Sequence, residues 1–409
     1  MAHERIGIWF IGAMGGIGAT VAVGLAALQR GLARENGLVS GLPRFAGLNL
    51  APWSAFTIGG HEIRETTFAA EAGKLQTQSG VFSAALLEAV GPELAAFDKN
   101  VRPGTLINVG HTIESLAGGA ALRQRGERPA AAIARISQDL KEFRASQGLK
   151  HVIVVYIAST EPPAGPDLRN LTWPALKQRL DSDEQSPVPA STIYAVSAML
   201  CGCDFVNFTP SIGSDLPALD ELARAQNVLH AGRDGKTGET LLKSVLAPMF
   251  AARNLNVMSW VGHNIFGNMD GKVLDDPINK ANKVRSKDHL LTEILGYRPT
   301  TLVSIEYIED MADWKTAWDH IHFRGFLDTQ MTLQFTWQGC DSLLAAPLVL
   351  DLVRFTEREH RRGKAGVMQH LGSFFKSPMG ENPPPEFSRQ YALLEQWADA
   401  VVAESSQPA

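Results

Sequence analysis

Four lysines, Lys283, Lys287, Lys315 and Lys376, stand in settings where an amine can do more than solvate a surface. Lys283 and Lys287 are four apart in NKANKVRSKDH, and Lys315 lies in DMADWKTAW beside an aspartate and a tryptophan. Lys376 is wedged into GSFFKSPMG between phenylalanines and a proline. In apolar or cation-crowded surroundings an ammonium can lose its proton near neutral pH and act as a base. Far upstream, Gly12-Ala13-Met14-Gly15-Gly16-Ile17-Gly18 follows a short apolar run. Glycines there let the backbone turn tightly and approach a pyrophosphate, which rests on the open N–H groups of a helix start. The pairing implies a nucleotide in front and proton transfer on an anionic substrate behind it.

Each residue also has a plainer reading. Lys283 and Lys287 fit one solvated helix face, Lys315 a surface ion pair with Asp313, and Lys376 a stem lying along apolar neighbours with its head in water. Asp234-Gly-Lys-Thr237-Gly238-Glu239-Thr240 follows a strand pattern and precedes a helix pattern. Such a helix start can bind phosphate, and the same residues fit an ordinary capping box. His320 and His322 share a strand face as a metal pair would, with Asp319 and Asp270 the nearest carboxylates to complete a set. The stretch GLVSGLPR, where the ribose-binding acid of a dinucleotide fold is expected, has no carboxylate. Spacing therefore does not separate NAD from NADP.

The elements that must position these groups alternate. Strand patterns cover 5–11, 37–45, 105–109, 151–158 and 205–208, and helix patterns cover 19–32, 129–146, 193–201 and 216–225. The stretch 59–62 reads as a polar loop and 162–189 as an inserted loop. Alternation with short connections predicts a doubly wound, mostly parallel sheet. After about residue 253 longer strands dominate, at 256–266, 301–307 and 321–337. Met331, Leu333, Phe335 and Trp337 alternate with Thr332, Gln334 and Thr336, giving one dry and one polar face. Asp341 opens a long helix, capped by its own side chain. The layout is an α/β Rossmann-type sheet over 1–250, interrupted over 251–340 by a second α+β domain with a largely open β-sheet. Residues 341–409 return to the first domain.

At 409 residues, 45% apolar and 20% charged, the chain has material for two cored domains. A net charge of −5 gives no case for nucleic acid or an anionic membrane. No signal sequence or spanning segment is read. The sparse thiols Cys201, Cys203 and Cys340 suit a reducing cytoplasm.

Long motifs in order carry more than any glycine turn: FIGAMGGIGAT, GGHEIRE, ASTEP, NFTPSIGSDLPAL, HAGRDGKTGET, GNMDGKVL, NKVRSKDH, DWKTAWDHIHFRGF, CDSLLAAPLVLD and FFKSPM. By these the chain resembles the myo-inositol-1-phosphate synthase family over nearly its whole length, in the short archaeal-type branch. The resemblance implies a Rossmann domain split by a catalytic and tetramerising domain, NAD as cofactor and glucose 6-phosphate as substrate. It implies cyclisation without net redox change. Lys283, Lys287, Lys315 and Lys376 match the family's active-site lysines. Lys283 and Lys376 would shuttle protons at C5, Lys315 would stabilise an oxyanion in closure, and Lys287 would steady the phosphate. The glycine turn, Ser159, Thr160, Asp234, Asp313 and Asp341 match cofactor-contacting positions. Thr237, Gly238, Glu239, Thr240 and Asn268 match the phosphate site, and Asp270 the position for a divalent or monovalent cation. Met14, where many members have glycine, and His61, where the eukaryotic type has tryptophan, are departures. The competing readings are a dehydrogenase of another phosphorylated sugar or semialdehyde, and a non-catalytic NAD-binding scaffold.

Overall fold

The computed structural model describes residues 4–182, 188–268, 271 and 290–405. Lys283, Lys287 and Asp270 lie outside the described residues. The described strands, in chain order, are β1 (Ile6–Ile11), β2 (Phe56–Glu62), β3 (Val101–Pro103), β4 (His151–Tyr156), β5 (Asp204–Asn207) and β6 (Leu229–Gly232). There follow β7 (Asn256–Phe266), β8 (Thr300–Tyr307), β9 (Trp314–Arg324), β10 (Gln330–Cys340) and β11 (Gly366–Val367). Seven of them form a parallel sheet in the order β11-β6-β5-β4-β1-β2-β3.

Its central strand, IGIWFI, is buried throughout. Ile8 and Phe10 join Val21, Leu25, Val349 and Leu352 on one side, from helices Gly16–Gln29 and Asp341–His360. Trp9 and Ile11 join Ile136, Leu140 and Ile193 on the other, from helices Pro129–Ser146 and Ala190–Leu200. A parallel sheet needs this cover, because helical crossovers leave neither face to water.

The second sheet is mixed, in the order β10-β9-β7-β8. Pairing Leu333 with Ile321 and Trp337 with Ala317 puts the alternating apolar set of β10 on one face. There Leu333 and Phe335 pack with Trp260 and Ile321 against Phe250 of helix Glu239–Ala252. The opposite face carries Trp318, His320 and His322.

Several local expectations fail for stated reasons. The span 37–45 is not a strand but two 3-10 turns, Val39–Gly41 and Pro43–Leu48, because Pro43 and the glycines break extended pairing. Gly59–Glu62 is not a loop. It is the buried end of β2, and its glycines admit Trp9, Phe143 and the β1 backbone at close range. Residues 105–109 form no strand; Asn108 turns at φ 52. Asp341 does not cap its own helix: Cys340 is the N-cap, without a side-chain bond, and Asp341 is the first helical residue.

At the amino end of the sheet, His151 Nε2 lies 2.7 Å and His360 Nδ1 3.2 Å from the same Asp204 oxygen. The imidazoles stack with centroids 3.5 Å apart and planes 17° apart. The cluster acts as a proton clamp tying helix Asp341–His360 to β4 and β5. Burial pushes Asp204 up, but the His151 and His360 contacts outweigh it and hold the carboxyl at about 2. His360 is raised: burial lowers it, and the Asp204 hydrogen bond and charge more than offset this. Asp204 therefore contributes above the ordinary carboxylate range, losing its effect as pH falls toward 2. His360 contributes below the ordinary imidazole range, losing its effect as pH rises through its raised value. Urea denaturation should show His360→Gln costing more stability at pH 5.5 than at pH 8.5; equal losses at both would exclude the clamp.

Candidate active site

The glycine turn joins β1 to helix Gly16–Gln29 at the carboxyl end of the sheet. Gly12 has φ +80, and a Cβ there would meet the Ala158 backbone at 2.7 Å. A Cβ on Gly18 would lie 1.9 Å from the Ala13 carbonyl oxygen. No side chain caps the helix, so its first N–H groups at Gly16, Ile17 and Gly18 have no intrahelical acceptor. Gly12 and Ala13 donate instead to the His61 carbonyl, and Met14 N–H donates to Glu62 Oε2 at 2.8 Å. The open donors are thus narrower than the full motif, and Met14 is committed to β2.

That contact reveals a residue the spacing argument missed. Glu62 ends β2, the strand beside β1, where a dinucleotide fold places its ribose acid. Three 3-10 turns delay β2 until residue 56, so counting about 20 residues from the turn lands in the wrong segment. His61, the other departure, is buried beneath it. It accepts from Trp9 Nε1 at 2.9 Å and lies 3.0 Å from Asp139 Oδ2.

A cleft of about 760 Å³ runs from the turn across the strand ends. Gly12, Gly15, Gly16, Ile17, Ser159 and Thr160 line it. So do Asp234, Thr237, Asn268, Asp313, Lys315, Asp341 and Lys376. The fold brings Lys315 and Lys376 to it from opposite directions. Lys315 lies early in β9, paired with Phe266 across β7, with its Nζ 5.1 Å from the Phe266 ring centroid. Lys376 follows a 3-10 turn whose Phe374 and Phe375 are buried; its ammonium donates to Asp234 Oδ1 at 2.7 Å. The phenylalanines thus fix its backbone, and the head reaches an anion rather than an apolar pocket.

Asp313 joins the two sheets. Its Oδ1 accepts from Asn268 Nδ2 (3.2 Å) and Ser342 Oγ (3.1 Å), and its Oδ2 from Ser342 N–H and Cys340 Sγ (both 2.9 Å). Burial pushes this carboxyl up. It is therefore a buried organiser, not the surface partner of Lys315.

Helix Glu239–Ala252 begins at Gly238 with no side-chain cap bond, so no capping box forms and its first N–H groups have no intrahelical acceptor. Thr237 faces the cleft and Thr240 is buried. Glu239 is the first helical residue; its carboxylate accepts from Lys243 Nζ at 2.5 Å and Asn264 Nδ2 at 2.6 Å, under the second sheet, so any part it takes at the helix start falls to its backbone. An anion so engaged belongs to the scaffold. Lys236, in the same motif, is also buried and donates to Gln390; burial first, then Lys376, brings its ammonium down to about 7. His320 and His322 stay on the outer face, whereas Asp319 faces inward to Trp260 and Lys243. Those three therefore form no ligand set.

A parallel doubly wound sheet whose first turn is this glycine cradle defines a dinucleotide-binding α/β protein. A family model described as myo-inositol-1-phosphate synthase matches residues 6–399, and the chain belongs to that family. Inositol-3-phosphate synthase 1 of Bacteroides thetaiotaomicron is 31% identical over 425 residues, covering 97% of this chain and 94% of that one. The crystal structure of inositol-3-phosphate synthase from Caenorhabditis elegans superposes with a TM-score of 0.85 at 23% identity, over 100% of this chain and 90% of that one. A myo-inositol-1-phosphate synthase-related protein from Thermotoga maritima superposes at 0.76 with 20% identity, over 97% and 99%.

Proposed function

We propose that this chain converts glucose 6-phosphate to an inositol 1-phosphate with NAD as a recycled cofactor. The observation that carries the reading is one cleft lined by both the glycine cradle and the ammonium groups of Lys315 and Lys376. The cradle, the open helix start and Glu62 fit a dinucleotide. Bound NAD supplies the acceptor and later the donor of one hydride at C5. The chain's own groups do the rest. As C5 is oxidised its hydroxyl proton must leave, and it must return on re-reduction; Lys376, held by Asp234, is placed for that transfer. Once C5 is a ketone, a base takes the C6 proton, and the C–H electron pair, held as the enolate, forms the bond from C6 to the C1 aldehyde carbon. The negative charge arriving on the C1 oxygen is met by Lys315 and quenched by a proton. Lys283 and Lys287 complete the lysine set in this reading. The helix start after Gly238 holds the phosphate, with Thr237 beside it. Both reacting carbons belong to one molecule, so holding it curled is worth effective molarities of roughly 10⁵ M or more.

Asp270 is the position assigned to a cation, in keeping with the family resemblance. The second sheet's outward face, with Leu302 53% and Trp318 37% exposed, supports subunit contacts of a homotetramer. A cytoplasmic setting suits three thiols, none paired.

Purified protein given glucose 6-phosphate and catalytic NAD should form inositol phosphate with no net NADH. Stoichiometric NADH would mean a dehydrogenase, and no turnover with intact NAD binding would mean a scaffold.

A further inference from the structure

We propose that Glu161 contacts the nicotinamide half of the bound dinucleotide through its Oε2, a carboxyl oxygen that no described residue meets. This rests on NAD occupying the cleft.

The glycine turn fixes the pyrophosphate beside β1, and Glu62 on β2 marks the adenosine side. The other half of the dinucleotide must then cross to the strands on the far side of β1, which are β4 and β5. Glu161 lies five residues beyond the end of β4, and it lines both the main cleft and a second cavity that shares Asp234 and Lys376 with it.

The carboxyl is held firmly. Its Oε1 accepts from Tyr156 O–H at 3.0 Å and Ser191 N–H at 2.7 Å, and its own backbone N–H donates to Ser211 Oγ at 3.1 Å. Yet Oε2 is buried with no partner among the described residues, in a residue only 3% exposed. A buried carboxyl oxygen left unmet costs about as much as a lost hydrogen bond, so the site asks for a donor or acceptor from outside the chain. The hydroxyl of neighbouring Thr160 is unmet in the same way. A nicotinamide ring bears a carboxamide with two N–H donors and a carbonyl. Burial brings the Glu161 carboxyl up to about 7, against the hydrogen bonds from Ser191 and Tyr156. Near neutrality it can thus accept from the amide as a carboxylate or donate to its carbonyl as an acid.

The test compares NAD with ADP-ribose, which lacks the nicotinamide, by titration calorimetry on the parent protein, Glu161→Ala and Glu161→Gln. Glu161→Ala should weaken NAD roughly tenfold or more, the scale of one hydrogen bond to a charged group, and leave ADP-ribose within about twofold. Glu161→Gln, nearly isosteric and without a titrating proton, should flatten any change in NAD affinity between pH 6 and 8 that the parent shows. Equal losses for both ligands would make Glu161 structural and overturn the proposal, as would unchanged NAD affinity in both variants. A parent protein that binds neither ligand would instead sink the nucleotide reading beneath it.

Discussion

Lys376→Met should lower turnover by roughly a hundred- to ten-thousandfold, the usual contribution of a positioned acid–base group, with NAD affinity changed little. The Lys376 ammonium stands in the same cleft as the glycine turn and is pinned 2.7 Å from Asp234, while the buried Phe374 and Phe375 anchor the chain immediately before it. Methionine keeps the stem's bulk and removes only the charge and the transferable protons. Lys376→Arg separates the two losses. Arginine restores the positive charge beside Asp234 but does not give up a proton in a protein. If the lysine moves protons, arginine should rescue substrate binding and leave turnover low. If it supplies charge alone, arginine should recover much of the rate. Measuring product formation and NAD affinity on all three proteins decides this, and Lys376→Met turning over within threefold of the parent would remove the residue from the mechanism.

Lys243→Met should destabilise the fold by about 3–5 kcal/mol, the scale of breaking a buried ion pair from one side. Lys243 is 1% exposed and bonds Glu239 Oε1 at 2.5 Å, with Asp319 Oδ1 at 3.9 Å. Both carboxylates lie in the seam between helix Glu239–Ala252 and the second sheet, where water cannot screen them. The double variant Lys243→Met/Glu239→Gln removes one of those charges and should recover a good part of the loss, since the penalty lies in the stranded anion rather than the missing contact. Urea denaturation of the parent, the single and the double variant tests this; a single-variant loss below about 1 kcal/mol would show that the seam is wet.

Much of this architecture is legible in the sequence where pattern and period agree. The run IGIWFI, the helix from Pro129 to Ser146 and the alternation of β10 each present one physical signal without competition. The failures share a cause. Gly59 and Gly60 look like turn residues, yet they lie in β2 because the aromatic rings of Trp9 and Phe143 and the Phe10 backbone leave no room for a Cβ. Such close approach is a tertiary fact with no local trace. The same misreading hid Glu62, since a residue placed in a loop cannot be recognised as the acid at a strand end. Glu239 has a side-chain partner that the sequence does not show. Its motif is compatible with phosphate binding, but its carboxylate turns to Lys243, a residue in the following helical turn that composition marks as ordinary surface. Buried lysines such as Lys236 and Lys243 can be seen only once packing has removed their water.

The outermost strand of the large sheet, Gly366–Val367, pairs with Leu229 and His230, more than 130 residues earlier in the chain. During synthesis, the ribosome therefore delivers β6 long before its neighbour exists. Until Gly366 and Val367 emerge, that border offers bare amide and carbonyl groups to any extended segment nearby. Growing chains crowded on one messenger would be exposed to mispairing at this rim, and holding factors that shield nascent β-structure would protect it.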